Sequence, residues 1–179
     1  MSNSKINDFT EVLNESIKRV NNNYFILPVS AGLPISRERV FCYELYHQIR
    51  CKIMVDGIDM TIHAEVDKSG GAIIKTKRKP DFIWHVSGTN RNHVVMEVKS
   101  AVKLRKDQLK KDIETLNEFI TKWQYKAGIL LVFSDKNTEA IKNDIERKVS
   151  WDLINSKIGV YLGLQTGIQS IKRQNQLGG

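Results

Sequence analysis

Apolar residues recur every three or four positions over residues 5–20, where Ile6, Phe9, Val12, Leu13, Ile17 and Val20 share one helical face and Asn21-Asn22-Asn23 ends the run. An apolar stretch at 24–29 and a Gly32-Leu33-Pro34 turn follow, and Ser36 is placed to cap a helix over 37–50. Short strands are predicted at about 52–55 and 60–66. The β-branched and aromatic run Asp81-Phe82-Ile83-Trp84-His85-Val86, the turn residues Ser87-Gly88-Thr89-Asn90 and the apolar run 93–99 read together as an antiparallel hairpin. Beyond it, Leu109, Ile113, Leu116, Ile120 and Trp123 form one stripe of a helix over 104–123. The continuous run Ala127-Gly128-Ile129-Leu130-Leu131-Val132-Phe133 has the character of a strand buried on both faces. A further helix over 135–149 and a strand over 158–164 complete the pattern.

Interleaved helical and strand periods predict an α/β fold. No repeat, low-complexity tract or linker divides the 179 residues, so one domain spanning 1–179 is expected. Lysine and arginine number 28 against 20 acids, a net charge of +8, which favours a polyanionic partner. Cys42 and Cys51 are too few for a disulfide framework and have no partner at zinc-finger spacing, so reduced thiols are expected. No signal peptide and no apolar run of membrane-spanning length is visible, which predicts a soluble cytoplasmic protein without membrane contact. The lack of a glycine-rich phosphate loop argues against an intrinsic ATPase.

Candidate chemistry lies in the predicted hairpin. Pro80-Asp81 is followed by Glu97-Val98-Lys99, and alternate strand residues share a face, so Glu97 and Lys99 emerge side by side while Val98 faces away. A carboxylate and an ammonium within an apolar strand are costly unless they pair or bind a metal. The hairpin brings Asp81 to Glu97 at one end. Two carboxylates on neighbouring strands suit a hard cation such as Mg2+, and Lys99 is placed to orient a nucleophile or to stabilise developing phosphoryl charge. His85 would share the face of Asp81 but reads as a hydrogen-bonded structural group. The run Lys75-Thr76-Lys77-Arg78-Lys79 feeds into this acidic end; it reads either as a solvated loop or as a set of phosphate contacts.

The order helix with Glu, strand, strand with Pro-Asp, strand with Glu-Val-Lys, helix, apolar strand resembles the PD-(D/E)XK nuclease superfamily over residues 36–134. The resemblance implies a restriction endonuclease-like core of α-β-β-β-α-β order, a central mixed sheet flanked by helices, with an N-terminal helix and a C-terminal α/β extension outside it. It implies a metal-dependent endo- or exodeoxyribonuclease using Mg2+, with Mn2+ substituting, and DNA as partner. Asp81 and Glu97 would be metal ligands, joined by the Val98 carbonyl, and Lys99 would be catalytic. A preceding helix supplies a further acid in many members, and Glu44 is preferred because Glu38 lies in the first turn, where a carboxylate commonly answers the helix dipole; Glu65 is a reserve. A polar residue of the following helix often reaches the site, which brings in Gln108 and Lys111 beside the basic run Lys75, Lys77, Arg78 and Lys79. The alternative is a catalytically silent or partner-dependent nucleic-acid-binding subunit of a defence or mobile-element complex. A symmetric dimer would suit double-strand cutting, while DNA or RNA preference, end specificity and pathway stay open.

Overall fold

The computed structural model, which describes residues 2–65, 78–86 and 88–173, builds the chain around one six-stranded sheet. Its strands are β1 (Thr61–Ala64), β2 (Phe82–His85), β3 (Asn92–Ser100), β4 (Ala127–Phe133), β5 (Ile158–Leu164) and β6 (Gly167–Ile171), neighbours in sequence order. The outer pairs β1–β2, β2–β3 and β5–β6 are antiparallel, whereas β3–β4 and β4–β5 are parallel. Parallel neighbours need a crossover: helix α4 (Lys106–Lys122) supplies one and α5 (Glu139–Lys148) the other. Helices α1 (Ser2–Arg19), the single turn α2 (Asn22–Phe25) and α3 (Glu38–Val55) precede the sheet. The chain is thus α/β, with an open mixed sheet between two helical layers.

Strand alternation divides the core in two. Met96, Val98, Ile129, Leu131 and Phe133 pack against Phe9, Leu13 and Ile17 of α1 and Phe41, Leu45 and Ile49 of α3. Val95, Leu130, Val132, Val160 and Leu162 pack against Leu109, Ile113 and Leu116 of α4 and Ile145 of α5. Every residue of β4 is buried, as expected of a strand covered on both faces. Phe41 stacks on Phe133 with ring centroids 3.9 Å apart and planes within 5°, and Phe25 meets Phe41 edge-on at 5.0 Å. This aromatic group fixes the first turns of α3 over the C-terminal end of β4.

Several local expectations are corrected. Residues 52–55, expected as a strand, continue α3, because Phe41, Leu45, Ile49 and Ile53 extend one buried stripe at four-residue spacing. Ser36 does not cap α3; Arg37 occupies that position without a side-chain bond, and the Ser36 hydroxyl lies 2.7 Å from that of Ser100. The helix expected over 135–149 starts at Glu139, where the Thr138 hydroxyl accepts the Ile141 N–H. Strand β6 was not expected; it is tied to α1 by the Ile168 N–H donating to Asn14 Oδ1 at 3.0 Å. Cys42 and Cys51 are free thiols. No described helix is long and apolar enough to cross a membrane.

The aromatic group generates a prediction. Phe41→Ala removes a fully buried ring from the α3–β4 contact and should cost about 3–5 kcal/mol. Urea unfolding should show a lower midpoint at unchanged slope; a loss below about 1 kcal/mol would mean that α3 is held elsewhere.

Candidate active site

In the β2–β3 ladder Phe82 is opposite Met96 and Ile83 opposite Val95, so one further step sets Asp81 opposite Glu97. Asp81 immediately precedes β2 and is held from two sides. Its carbonyl accepts the Glu65 N–H at 3.0 Å, and its Oδ2 accepts the Val98 N–H at 2.7 Å. By alternation Asp81 and Glu97 share the α4 side of the sheet with Ile83 and Val95, while the Val98 side chain is buried toward α1 and α3. The two carboxyl groups are close enough to share a hydrogen bond.

Their electrostatics follow from this placement. Burial pushes Glu97 well above the usual carboxylate range, and repulsion from Asp81 and Asp112 adds to it. Burial raises Asp81 as well, against the pull of Lys99 and the hydrogen bond from Val98. Lys99 Nζ is itself surrounded by acceptors: Val98 O at 3.0 Å, Glu38 Oε1 at 3.1 Å and Asp112 Oδ2 at 3.4 Å. Burial alone would lower the lysine, but Asp112, Glu38 and Asp81 together hold it above its ordinary value. It is therefore an ammonium at neutral pH, a donor and not a base. Burial pushes Asp112 up to about 6 despite the pull of Lys99.

Glu38 and Asp112 come from helices on opposite layers, so Lys99 joins both to the end of β3. The other Glu38 oxygen accepts the Ser100 N–H at 3.4 Å, and the Ser100 hydroxyl accepts the Val102 N–H at 3.3 Å beside its bond to Ser36. This small network pins the entry to α3 against the C-terminal end of β3.

Asp81, Glu97, Lys99, Glu38 and Asp112 line one open cleft of about 1050 Å³. Lys79, Gln108 and Lys111, expected at the site, line it too. Arg78 also lines it, but its guanidinium is engaged by α4: it donates to Lys111 O and Thr115 Oγ1 at 3.1 Å and pairs with Glu114 and Glu118. Lys75 and Lys77 lie outside the described residues.

Glu44 is a correction. It stands six residues beyond Glu38, about 240° round the helix and about 9 Å along it, does not line the cleft, and accepts a hydrogen bond from Gln48 at 2.7 Å. The acid that α3 delivers is Glu38. Glu65 neighbours Asp81 through its backbone, but its carboxylate pairs with Arg39 at 3.2 Å. The Val98 carbonyl accepts from Lys99. His85 is hydrogen-bonded to His63. Sequence reasoning missed Asp112 and the cleft cations Arg37, Lys103, Arg105 and Lys148. Asp112 had a signal: it is an acid inside the buried stripe of α4, between Leu109 and Leu116.

No family model, no curated protein and no solved structure matches the chain. Among the described residues no group of three or more His, Cys, Asp and Glu stands ready to hold a metal ion. The donor set at Asp81 and Glu97 nevertheless fits a hard divalent cation. Two buried carboxyl groups pressed together are each disfavoured as anions, a double positive charge would relieve both, and Mg2+ takes one or two carboxylates and leaves its other positions to water or substrate oxygens.

The raised carboxyl groups predict a stability effect with a definite sign. A folded-state pKa above the unfolded value means that stability is greatest below the ordinary carboxylate pKa and falls as pH rises through the raised value. In EDTA at pH 7–8, Glu97→Gln should therefore stabilise the fold by on the order of 1 kcal/mol, about 2–4 °C in Tm for a chain of this size. The difference should close as the pH falls below the ordinary carboxylate pKa, where the carboxyl of the unfolded chain is protonated too. Mg2+ should raise the Tm of the parent and not that of the variant. A variant less stable than the parent in EDTA at every pH would contradict this electrostatic account.

Proposed function

We propose that the protein is a metal-dependent nuclease hydrolysing phosphodiester bonds of DNA in the cytoplasm, with a restriction endonuclease-like core of the PD-(D/E)XK type over residues 36–134. The observation that carries this reading is the meeting of Asp81, Glu97 and Lys99 at the floor of a single cleft whose walls carry cations. Acids at the floor and cations around them are the distribution a polyanion needs if its backbone is to be drawn down onto two carboxylates.

Asp81 and Glu97 would hold Mg2+, with Mn2+ substituting. When bound, the ion supplies Lewis acidity, making water a better nucleophile at neutral pH and neutralising charge on the scissile phosphate. The remaining work falls to the chain. Lys99, kept protonated by its acidic neighbours, donates to the phosphoryl oxygens and stabilises the charge that grows on them. Glu38 and Asp112 fix where that ammonium stands, and Asp81 is fixed in turn by the Val98 N–H. Lys79, Lys111 and Gln108, which line the cleft, would hold the nucleic-acid backbone along it.

The test is cleavage of linear, circular and branched DNA by purified protein with Mg2+, Mn2+ or EDTA. Cutting should require the metal and fall by about 100-fold or more in Asp81→Ala and in Lys99→Ala. Glu44→Gln should retain parental activity, whereas Glu38→Gln should not. Folded protein that binds DNA yet cuts none of the substrates would replace this reading by a binding subunit that is silent or needs a partner.

Asp112 gives a separate prediction. Asp112→Asn should lower kcat on the order of 10- to 100-fold with little change in KM, because it misplaces Lys99 without removing a substrate contact. Asp112→Glu should recover part of the loss. A change confined to KM would show that Asp112 acts on substrate binding instead.

A further inference from the structure

The β1–β2 pair carries a second set of ligating groups. In its register His85 is opposite Thr61 and His63 opposite Ile83, which makes the two histidines diagonal neighbours on one face. Alternation from Ile62 and Trp84, both buried toward α1 and α3, turns them to the other side of the sheet. Helix α4 on that side packs on β3 and β4, so the histidines occupy the margin beyond it. His63 Nδ1 and His85 Nε2 are 2.8 Å apart, the ring centroids are separated by 5.0 Å, and both rings are half-buried.

We propose that His63 and His85 form a binding site for a transition cation of the zinc class, chemically distinct from the acid pair at Asp81 and Glu97. In the hydrogen bond one ring nitrogen donates and the other accepts, so one lone pair already points into the gap. If the donating ring carries its proton on its other nitrogen, two lone pairs converge; both rings stay neutral and no net proton is lost. Two imidazole nitrogens on a tetrahedral zinc ion stand about 3.3 Å apart, given bonds near 2.0–2.1 Å. The rings need only spread slightly. Imidazole selects zinc, copper or nickel, whereas Mg2+ prefers oxygen, so the two sites sort cations by ligand type. Among the described residues no third His, Cys, Asp or Glu completes the set. A bound ion would clip the edge strand β1 to β2, the strand that Asp81 opens, and so stiffen the support of the acidic site from its outer side.

A rival pair of soft ligands exists on α3, where Cys51 Sγ is 3.7 Å from His47 Nε2 on the exposed face. The test separates the two. The metal-free full chain is titrated calorimetrically with Zn2+ near pH 7.5, alongside His63→Ala, His85→Ala, His63→Gln, His47→Ala and Asp81→Ala. One Zn2+ should bind per chain, weakened on the order of tenfold or more in all three variants of the pair and retained in His47→Ala and Asp81→Ala. Excess Mg2+ should not displace it. On the unmutated chain, substoichiometric Ni2+ should broaden the ring-proton resonances of His63 and His85 ahead of the other histidines. Absence of Zn2+ binding, binding unchanged in folded His63→Gln, loss in His47→Ala, or broadening that starts at His47 would each overturn the proposal.

Discussion

The candidate site depends on the register between β2 and β3. Pairing Phe82 with Met96 is what sets Asp81 against Glu97, and the 2.7 Å bond from the Val98 N–H to Asp81 Oδ2 locks that step. A slip of one residue would turn Glu97 and Lys99 to the opposite face and bury Val98 among charges. The register is protected by its own core: Val95 and Ile83 fill one layer and Met96, Phe82 and Trp84 the other. Carboxyl groups that are individually unfavourable in this setting are therefore kept in place by apolar packing on both sides.

Lys99 converts that strand pair into a site connected to the whole fold. It receives Glu38 from one helical layer and Asp112 from the other, at the C-terminal end of a strand that runs between them. Charge balance at the cleft floor is local: three carboxylates around Lys99 hold it as an ammonium, and the lysine in turn moderates the rise of Asp81 and Asp112. A cation at Asp81 and Glu97 would enter a region whose negative charge is only partly neutralised. The half-exposed cleft wall above it carries lysine and arginine, so a nucleic-acid backbone would meet attraction at the wall before it meets the acids.

Asp81, Glu97 and Lys99 were legible in the chain because strand alternation is a rigid rule and the acids stood out in apolar runs. The succession of β2, β3, α4, β4 and β5 was legible as well, β4 through its continuous apolar run. Helical phase was harder. Glu44 looked better than Glu38 because a first-turn carboxylate commonly answers the helix dipole, yet the buried stripe Phe41, Leu45, Ile49 and Ile53 turns Glu44 aside and leaves the first turn of α3 over the end of β3. Asp112 was passed over because only the apolar members of the α4 stripe were followed. The apolar Ile53-Met54-Val55 end of α3 looked like a strand until its stripe was followed one turn further, and β6, five residues long, offered too little pattern to stand out.

The most direct test of the central claim is a crystal of the protein soaked in Mn2+ and measured at the manganese absorption edge. The account predicts an anomalous peak between the Asp81 and Glu97 carboxylates, with Lys99 still flanked by Glu38 and Asp112. Manganese bound elsewhere in the crystal with the Asp81–Glu97 pair unliganded would contradict it.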